Sequence, residues 1–523
     1  MERRRLLGAA AAVTAAAAVA GATALVLDED GTGATGAGGA KPSGGPSAGP
    51  IDVGDHSAAT DPDAAERARP GNADWRIRSQ GPPEAVEGYT DRISVLPGEP
   101  FALHVSTTAP SYTVSAYRVG WYGGAQARLV WRSTALPGHR QAPALWTAAT
   151  RTAHAAWTPS LTVDTTGWPH GAYLLRLDSS QGHQRYVPMV LRTPSARDRT
   201  VLMHGVGTWQ AYNVWGGASL YQGKDGSYGS RSLVVSFDRP YDASGAEKFM
   251  VYERALVVLA ERLGLPLAYT TGLEVHGAAD ALDGARAVLS LGHDEYWTPQ
   301  QRARVTRARD TGTNIAFLGA NACYRRIRWQ ADNRQIACYK SDYRDDPAYW
   351  THRPDVTTDF RAAPAADPES ALTGVFYENN PVDAPYTVHA PDHWIFAGTG
   401  AKAGDTYAHL VGVEYDRVTP TAPTPRPIEI LAHSPLVCDG THSHSDSAYY
   451  TVPSGAGVFA SGTMRWVEGL MAGTGDDWGA HGMDARTGAM VTRATSNLLT
   501  AFAEGPAARS RPAPRDNVKG VYG

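Results

Sequence analysis

The chain has 523 residues and a formal net charge of -4, from 48 basic and 52 acidic side chains. This length exceeds what one hydrophobic core usually supports and predicts two or three domains with tails. The balanced charge, without a basic stripe, argues against a nucleic-acid partner. The three cysteines form no CxxC pair, which argues against a thiolate zinc site.

The N-terminus has the features of an export signal. Arginines at positions 3–5 precede an apolar run from Leu6 to about Leu27, with small residues near its end. We therefore predict that residues 1–27 are a signal peptide or an uncleaved N-terminal anchor, and that the protein is extracellular or on the cell surface. The paired arginines point to the twin-arginine route.

Composition and patterning divide the next part of the chain in two. Residues 28–72 are rich in Gly, Ala, Ser, Pro and Asp, which predicts a disordered linker. Residues 73–195 contain short alternating segments, for example at 101–105 and 172–177, separated by Gly and Pro turns. This even spacing predicts a β-sandwich of the immunoglobulin or fibronectin kind.

Strands and helices then alternate through residues 196–505. Buried strands are predicted at residues 201–203, 287–291 and 315–318, and residues 249–263 have one apolar helical face. Strand, helix and strand in this order predict a parallel sheet in a three-layer α/β domain.

The sequence also marks the ends of later elements. Thr298 and Pro299 suit the start of a helix, and a later helix is predicted over about residues 485–503. Residues 506–523 are predicted to be a disordered tail.

Polar side chains follow three of these strands. Tyr212, His293, Glu295, Asn321 and Cys323 come shortly after strand ends, where open parallel sheets form their sites. Each also has a structural interpretation: a packed aromatic for Tyr212, a loop ion pair for His293 and Glu295, and a turn residue for Asn321.

The cysteines leave two interpretations open. Cys323 and Cys338 flank one Arg-rich loop and could form a disulfide, while Cys438 stays single. The alternative is that all three are free, buried thiols.

Several segments together resemble the C-terminal region of the N,N-dimethylformamidase large (beta) subunit-like family. The resemblance covers about residues 75–502. It is carried by residues 117–124, 208–217, 292–297, 319–325, 434–436 and 447–450.

The resemblance implies a mononuclear Fe³⁺ held by two tyrosinates and one glutamate. When the family's motifs are matched to this sequence, the implied metal ligands are Tyr173, Tyr212 and Glu295. The implied catalytic residues are His293, Glu295 and Asn321. We expect the three ligand oxygens to lie within about 5 Å of one another, a generous allowance over metal–oxygen bonds. Phenolate and carboxylate are hard donors that suit Fe³⁺.

The resemblance further implies a β-sandwich followed by a glutamine-amidotransferase-like α/β domain. Our hypothesis is a secreted iron-dependent amidohydrolase that cleaves a small, formamide-like amide with metal-activated water. The family also implies a small partner subunit, and a homo-oligomer is the alternative.

Two other functions remain open from the sequence. One is a non-catalytic cell-surface or glycan-binding protein on the same fold. The other is a thiol amidase of the glutaminase type, with Cys323 as nucleophile and His293 as base.

Overall fold

The computed structural model describes residues 63–476, 478 and 481–523. The predicted signal peptide or anchor and most of the predicted linker lie outside these ranges. The described end of the linker carries a short helix, α1 (Ala64–Arg67). Within the described ranges, no helix is both long and apolar enough to cross a membrane.

The first part of the described chain forms strands that are mostly antiparallel. They are β1 (Val86–Thr90), β2 (Ser94–Val95), β3 (Phe101–Thr107), β4 (Ser111–Val119), β5 (Ala127–Arg132), β6 (Leu136–Pro137), β7 (Leu145–Thr147), β8 (Thr152–His154), β9 (Leu161–Val163), β10 (Gly171–Ser179) and β11 (Gln184–Leu191).

Two sheets from these strands share one core. One sheet has the order β1-β3-β9, and the other has the order β2-β11-β10-β4-β5, with β6 paired to β4. Leu103 and Val105 of the first sheet belong to the same buried cluster as Leu175 and Leu177 of the second. Alternate residues of each strand therefore fill the space between the sheets, as period-two patterning predicts.

The second part of the chain mixes strands and helices. Its strands are β12 (Thr200–His204), β13 (Val234–Ser236), β14 (Leu267–Thr271), β15 (Ala287–Ser290), β16 (Tyr296–Trp297), β17 (Asn314–Phe317), β18 (Arg325–Arg326), β19 (Arg328–Gln330), β20 (Gln335–Ala337), β21 (Phe376–Thr387), β22 (Thr406–Arg417), β23 (Ile428–Cys438), β24 (Thr441–Thr451) and β25 (Gly457–Ala460). Its helices are α2 (Val206–Tyr212), α3 (Glu247–Tyr252), α4 (Arg254–Arg262), α5 (Gly272–Gly277), α6 (Pro299–Asp310), α7 (Ala348–Thr351), α8 (Ser370–Thr373), α9 (Trp466–Gly469), α10 (Ala485–Ala503) and α11 (Val518–Tyr522).

A seven-stranded sheet in the order β14-β12-β15-β17-β25-β24-β23 organises this part. The strands from β14 to β25 pair in parallel, and β24 and β23 add antiparallel neighbours. Leu202 faces one buried cluster, while Val201 and Met203 face the other. Both faces are therefore covered, which explains why these strands are apolar throughout. The fold is mixed α/β and rich in strands.

The sequence predicts a single helix over the apolar stretch at residues 249–263, but the structure has two helices there. The stretch is divided into α3 and α4 at Glu253, which has φ -129°. The buried Glu253 carboxylate accepts hydrogen bonds from His204 Nδ1 at 2.5 Å, the Gly205 amide at 3.1 Å and Trp209 Nε1 at 2.7 Å. These three donors explain the break, because the carboxylate must turn toward the end of β12 to reach them.

The prediction of a disordered tail at residues 506–523 is wrong. Helix α11 packs on the sheet, with Val518 only 3% exposed. The Asn517 side chain accepts from the Ile430 amide and donates to its carbonyl, and the Tyr522 hydroxyl donates to Asp446. One apolar residue and these polar contacts order a segment whose composition alone suggests disorder.

Strands β12, β15 and β17 are neighbours in the sheet and run in the same direction. Their carboxyl ends therefore lie side by side at one edge. Helix α2 follows β12, residues 291–295 follow β15, and residues 318–324 follow β17. This edge is where the predicted site residues meet.

Candidate functional site

Three side-chain oxygens converge at the carboxyl edge of the sheet. The Tyr212 hydroxyl donates to Glu295 Oε2 at 2.8 Å, and the Tyr221 hydroxyl lies 2.7 Å from both Glu295 oxygens. The two hydroxyls are 3.0 Å apart, and the tyrosine rings stack with centroids 4.3 Å apart. Tyr212, Tyr221 and Glu295 form what we call the oxygen triad.

The prediction that Tyr173 belongs to this group is wrong. Tyr173 lies on β10 in the core shared by the two N-terminal sheets, and its ring stacks on Trp168. Its hydroxyl donates to the Pro169 carbonyl at 2.6 Å. That local bond and the surrounding core hold the side chain between the two N-terminal sheets. Tyr221 takes the place assigned to Tyr173.

Tyr221 was missed because it lies in a loop without strand or helix patterning. The sequence places it nine residues after Tyr212, in the segment that leaves the same strand end. That proximity was the available signal. The family resemblance points instead to Tyr173, on a strand of the N-terminal sheets.

A buried lysine packs against the ring face of Tyr221. Lys340 is 1% exposed, and its Nζ lies 3.3 Å from the centroid of the Tyr221 ring. The same ammonium donates to the Leu220 carbonyl at 2.7 Å. Lys340 thus fixes both the ring and the backbone beside it.

The loop that carries Glu295 is tightly folded. Gly292 has φ +58°, and a Cβ there would lie 2.3 Å from the Tyr252 carbonyl oxygen, so only glycine fits. The Glu295 carbonyl accepts from the Tyr324 and Arg325 amides at 3.1 and 2.9 Å. Arg325 Nε also lies 3.2 Å from Glu295 Oε1. Backbone and side-chain contacts therefore fix the carboxylate.

The predicted catalytic residues His293 and Asn321 lie beside the triad. His293 Nε2 is 3.6 Å from Glu295 Oε2, and its ring is 5.2 Å from that of Tyr212. Burial lowers the pKa of His293 to about 4, so its imidazole is neutral at pH 7. Asn321 has φ +58°, and its backbone amide donates to the Asp416 carboxylate at 2.8 Å, so it also shapes a turn.

Glu414 is a further buried carboxylate at this edge, contributed by β22. It is 7% exposed, and its pKa is raised well above the usual value by burial and by the nearby charge of Glu295. A hydrogen bond from Asn321 opposes that rise. The sequence pattern gives no sign of this role, because Glu414 lies within β22 and not after a strand end.

Several buried polar atoms at this edge lack a well-aligned hydrogen-bond partner among the described residues. Such atoms are uncommon in folded proteins and point to a bound molecule or water. They are both ring nitrogens of His293, Tyr296 Oη, Asn321 Oδ1 and Glu414 Oε2.

The cysteines are all free and buried. The proposed Cys323–Cys338 disulfide is therefore absent. Burial raises the pKa of Cys323 to about 12, although Arg302 beside the sulfur opposes the shift. A thiol that resists ionisation makes a poor nucleophile, which argues against the thiol-amidase hypothesis.

The donor set of the triad fits a hard metal ion. Two phenol oxygens and one carboxylate are already in mutual contact, and oxygen donors of this kind suit Fe³⁺. Burial raises the pKa of both Tyr212 and Tyr221, so only a strong cation would hold them ionised. Within the described ranges, no three His, Cys, Asp or Glu side chains are placed to hold a metal.

Fold and site together define a mixed α/β protein with a buried tyrosine–glutamate centre at a strand edge. The family model "N,N-dimethylformamidase beta subunit-like, C-terminal" matches residues 113–480. The chain belongs to this family.

No curated protein matches the chain. One similar solved structure is a cycloisomaltooligosaccharide glucanotransferase of Paenibacillus sp. in complex with cycloisomaltoheptaose. It has 12% identity and a TM-score of 0.14, and the match covers 26% of this chain and 18% of that one.

Proposed function

We propose that the chain is an amidohydrolase of small, formamide-like amides, and that Tyr212, Tyr221 and Glu295 hold a mononuclear ferric ion. The observation that carries the proposal is the contact of all three oxygens, at 2.7 to 3.0 Å. The family description, which names N,N-dimethylformamidase, supports hydrolysis of amides. A ferric ion bound there would supply Lewis acidity, polarising an amide carbonyl and lowering the pKa of water.

We assign proton transfer to Glu414. Its buried Oε2 lacks a well-aligned hydrogen-bond partner among the described residues, and its raised pKa suits a carboxyl that gains and loses a proton. It would accept a proton from the attacking water and return it to the departing nitrogen. Water and amide then yield a carboxylic acid and an amine.

His293 and Asn321 are assigned to substrate binding. Both ring nitrogens of His293 and Oδ1 of Asn321 are buried without a well-aligned hydrogen-bond partner among the described residues. A neutral imidazole can donate one hydrogen bond and accept another, and an amide side chain can do the same. Together they would orient a small amide beside Glu414.

Three further parts of the proposal start from the sequence. We propose that the two sheets with a common core are an immunoglobulin-like sandwich ahead of a glutamine-amidotransferase-like domain. We also propose that the protein is exported, and that a small subunit or a second copy completes it. The family description as a beta subunit is compatible with such a partner.

The test is hydrolysis by iron-loaded protein. Formamide, N-methylformamide and N,N-dimethylformamide are offered, and formate and amine are measured. We expect turnover that falls about a hundredfold in Glu414→Gln with iron retained. The matched control Glu378→Gln changes a partly exposed carboxylate that pairs with Arg417, and should keep full turnover. Absence of hydrolysis at full iron occupancy would overturn the proposal.

A further inference from the structure

Lys248 lies at the partly exposed side of the candidate site. It is in the first turn of α3, and its Nζ is 4.7 Å from the Tyr212 ring centroid and 5.6 Å from that of Tyr252. Both rings also contact His293, with centroids 5.2 and 5.6 Å away. Lys248, Tyr212, Tyr252 and His293 therefore form one continuous wall.

The other cations around the site have polar partners. Arg325 bonds Glu295 and Asp359, Lys340 bonds a backbone carbonyl, and Arg465 bonds Asp383. Lys248 makes no hydrogen bond and no ion pair with any residue in the described part of the chain. Its ammonium instead lies over the ring faces of Tyr212 and Tyr252.

The charge of Lys248 acts on Glu468, but Glu468 does not pair with it. Burial raises the pKa of Glu468 on α9, and the positive charge of Lys248 opposes that rise. The Glu468 carboxylate, however, bonds His481 Nδ1 at 2.5 Å, so its hydrogen-bond partner is His481. An ammonium that lies over aromatic faces keeps its donors available for an anion. Its side chain is also partly exposed, unlike those of His293 and Glu295.

We propose that Lys248 binds a carboxylate on the substrate, so that the preferred substrate is a small N-acyl compound with an anionic group, such as an N-formyl amino acid. This inference rests on the proposed amide hydrolysis. The amide group would lie near His293 and Glu414, and the carboxylate would reach the ammonium at the outer wall. A neutral formamide has no anionic group that could pair with this ammonium.

The test compares N-formylglycine with N-formylglycinamide, which has nearly the same size but no carboxylate. Formate release is measured with iron-loaded protein. We expect kcat/KM at least tenfold higher for the anionic substrate. Lys248→Met should remove this preference by raising KM for N-formylglycine with little change in kcat for that substrate, because methionine keeps the apolar stem over the rings. Lys248→Arg should keep most of the preference.

Lys224 offers a matched control, since its Nζ also lies over a ring, at 4.3 Å from the Trp146 centroid, and that ring is not part of the triad. Lys224→Met should behave as the unmodified protein. Equal rates on both substrates, or equal losses in Lys248→Met, would overturn this inference and leave the proposed function standing. Formate release from neither substrate nor from the simple formamides would overturn both.

Discussion

At the scale of single residues, Thr208 connects two members of the oxygen triad. It lies four residues before Tyr212 on α2 and is 1% exposed. Its hydroxyl accepts hydrogen bonds from the Glu295 and Tyr296 amides at 3.0 and 3.3 Å. One side chain therefore fixes the helix that carries Tyr212 against the loop that carries Glu295.

Thr208→Val should separate these two elements. We expect the free energy of unfolding to fall by about 2 kcal/mol, because two buried amides lose their acceptor. Iron binding should weaken as well, whereas Thr208→Ser keeps the hydroxyl and both properties. Denaturant unfolding and iron titration measure the two effects.

Thr165 provides the control for this prediction. It is fully buried, and its hydroxyl accepts a hydrogen bond from the Gly98 amide at 2.9 Å. This contact belongs to the N-terminal sheets and not to the site. Thr165→Val should lower stability without changing iron affinity. Equal iron affinity in Thr208→Val and the unmodified protein would show that Thr208 has no role in positioning the triad.

The residues of the site differ in how far sequence predicts them. Tyr212, His293, Glu295 and Asn321 lie in the segments that follow apolar strands, and the carboxyl ends of parallel strands meet at one edge. Tyr221 reaches the same edge through an irregular loop, and its position depends on contacts with Lys340, more than a hundred residues later. Local pattern carries no information about such a contact.

At the scale of elements, regular patterns gave accurate bounds. The predicted helix at about 485–503 is α10, and Thr298 caps α6 by accepting the Gln301 amide at 3.1 Å. The break at Glu253 was missed because apolar spacing continues across it. A buried carboxylate that binds β12 and α2 overrides helical periodicity there.

Helix α11 gives an element-scale prediction. Deletion of residues 516–523 removes the buried Val518 and the polar contacts to Ile430 and Asp446. We expect a loss of about 2 to 3 kcal/mol in the free energy of unfolding, from lost apolar burial and hydrogen bonds. Lys519→Ala changes an exposed residue of the same helix and should have little effect. An unchanged denaturation midpoint after the deletion would support a disordered tail instead.

At the scale of the whole molecule, a buried ion pair joins the N-terminal sheets to the mixed α/β part. Arg118 on β4 lies 2.6 Å from Glu261 on α4, and both side chains are 1% exposed. The Tyr269 hydroxyl also donates to Glu261 at 2.5 Å. The core extends across the same boundary, with Tyr117 and Leu174 in one cluster with Leu202.

Arg118→Met should therefore destabilise the protein by about 3 kcal/mol, because the buried Glu261 loses its closest cation and keeps only the Tyr269 hydroxyl and the more distant Arg67, at 3.9 Å, among the partners described. The double variant Arg118→Met/Glu261→Leu should be less destabilised than the sum of the single variants. A double-mutant cycle by denaturant unfolding measures this coupling. Additive effects would show that the pair contributes no coupling between the two parts.

The central claim is that the oxygen triad of Tyr212, Tyr221 and Glu295 is an iron site. Iron content and visible absorption of protein produced in iron-replete cells test it directly, with Tyr221→Phe compared against Tyr173→Phe. We predict about one iron per chain and a tyrosinate-to-iron absorption band in the unmodified protein. Both should be largely lost in Tyr221→Phe and kept in Tyr173→Phe, because the Tyr173 hydroxyl bonds the Pro169 carbonyl and not a member of the triad. Iron-free unmodified protein, or iron that survives Tyr221→Phe and disappears in Tyr173→Phe, would contradict the account.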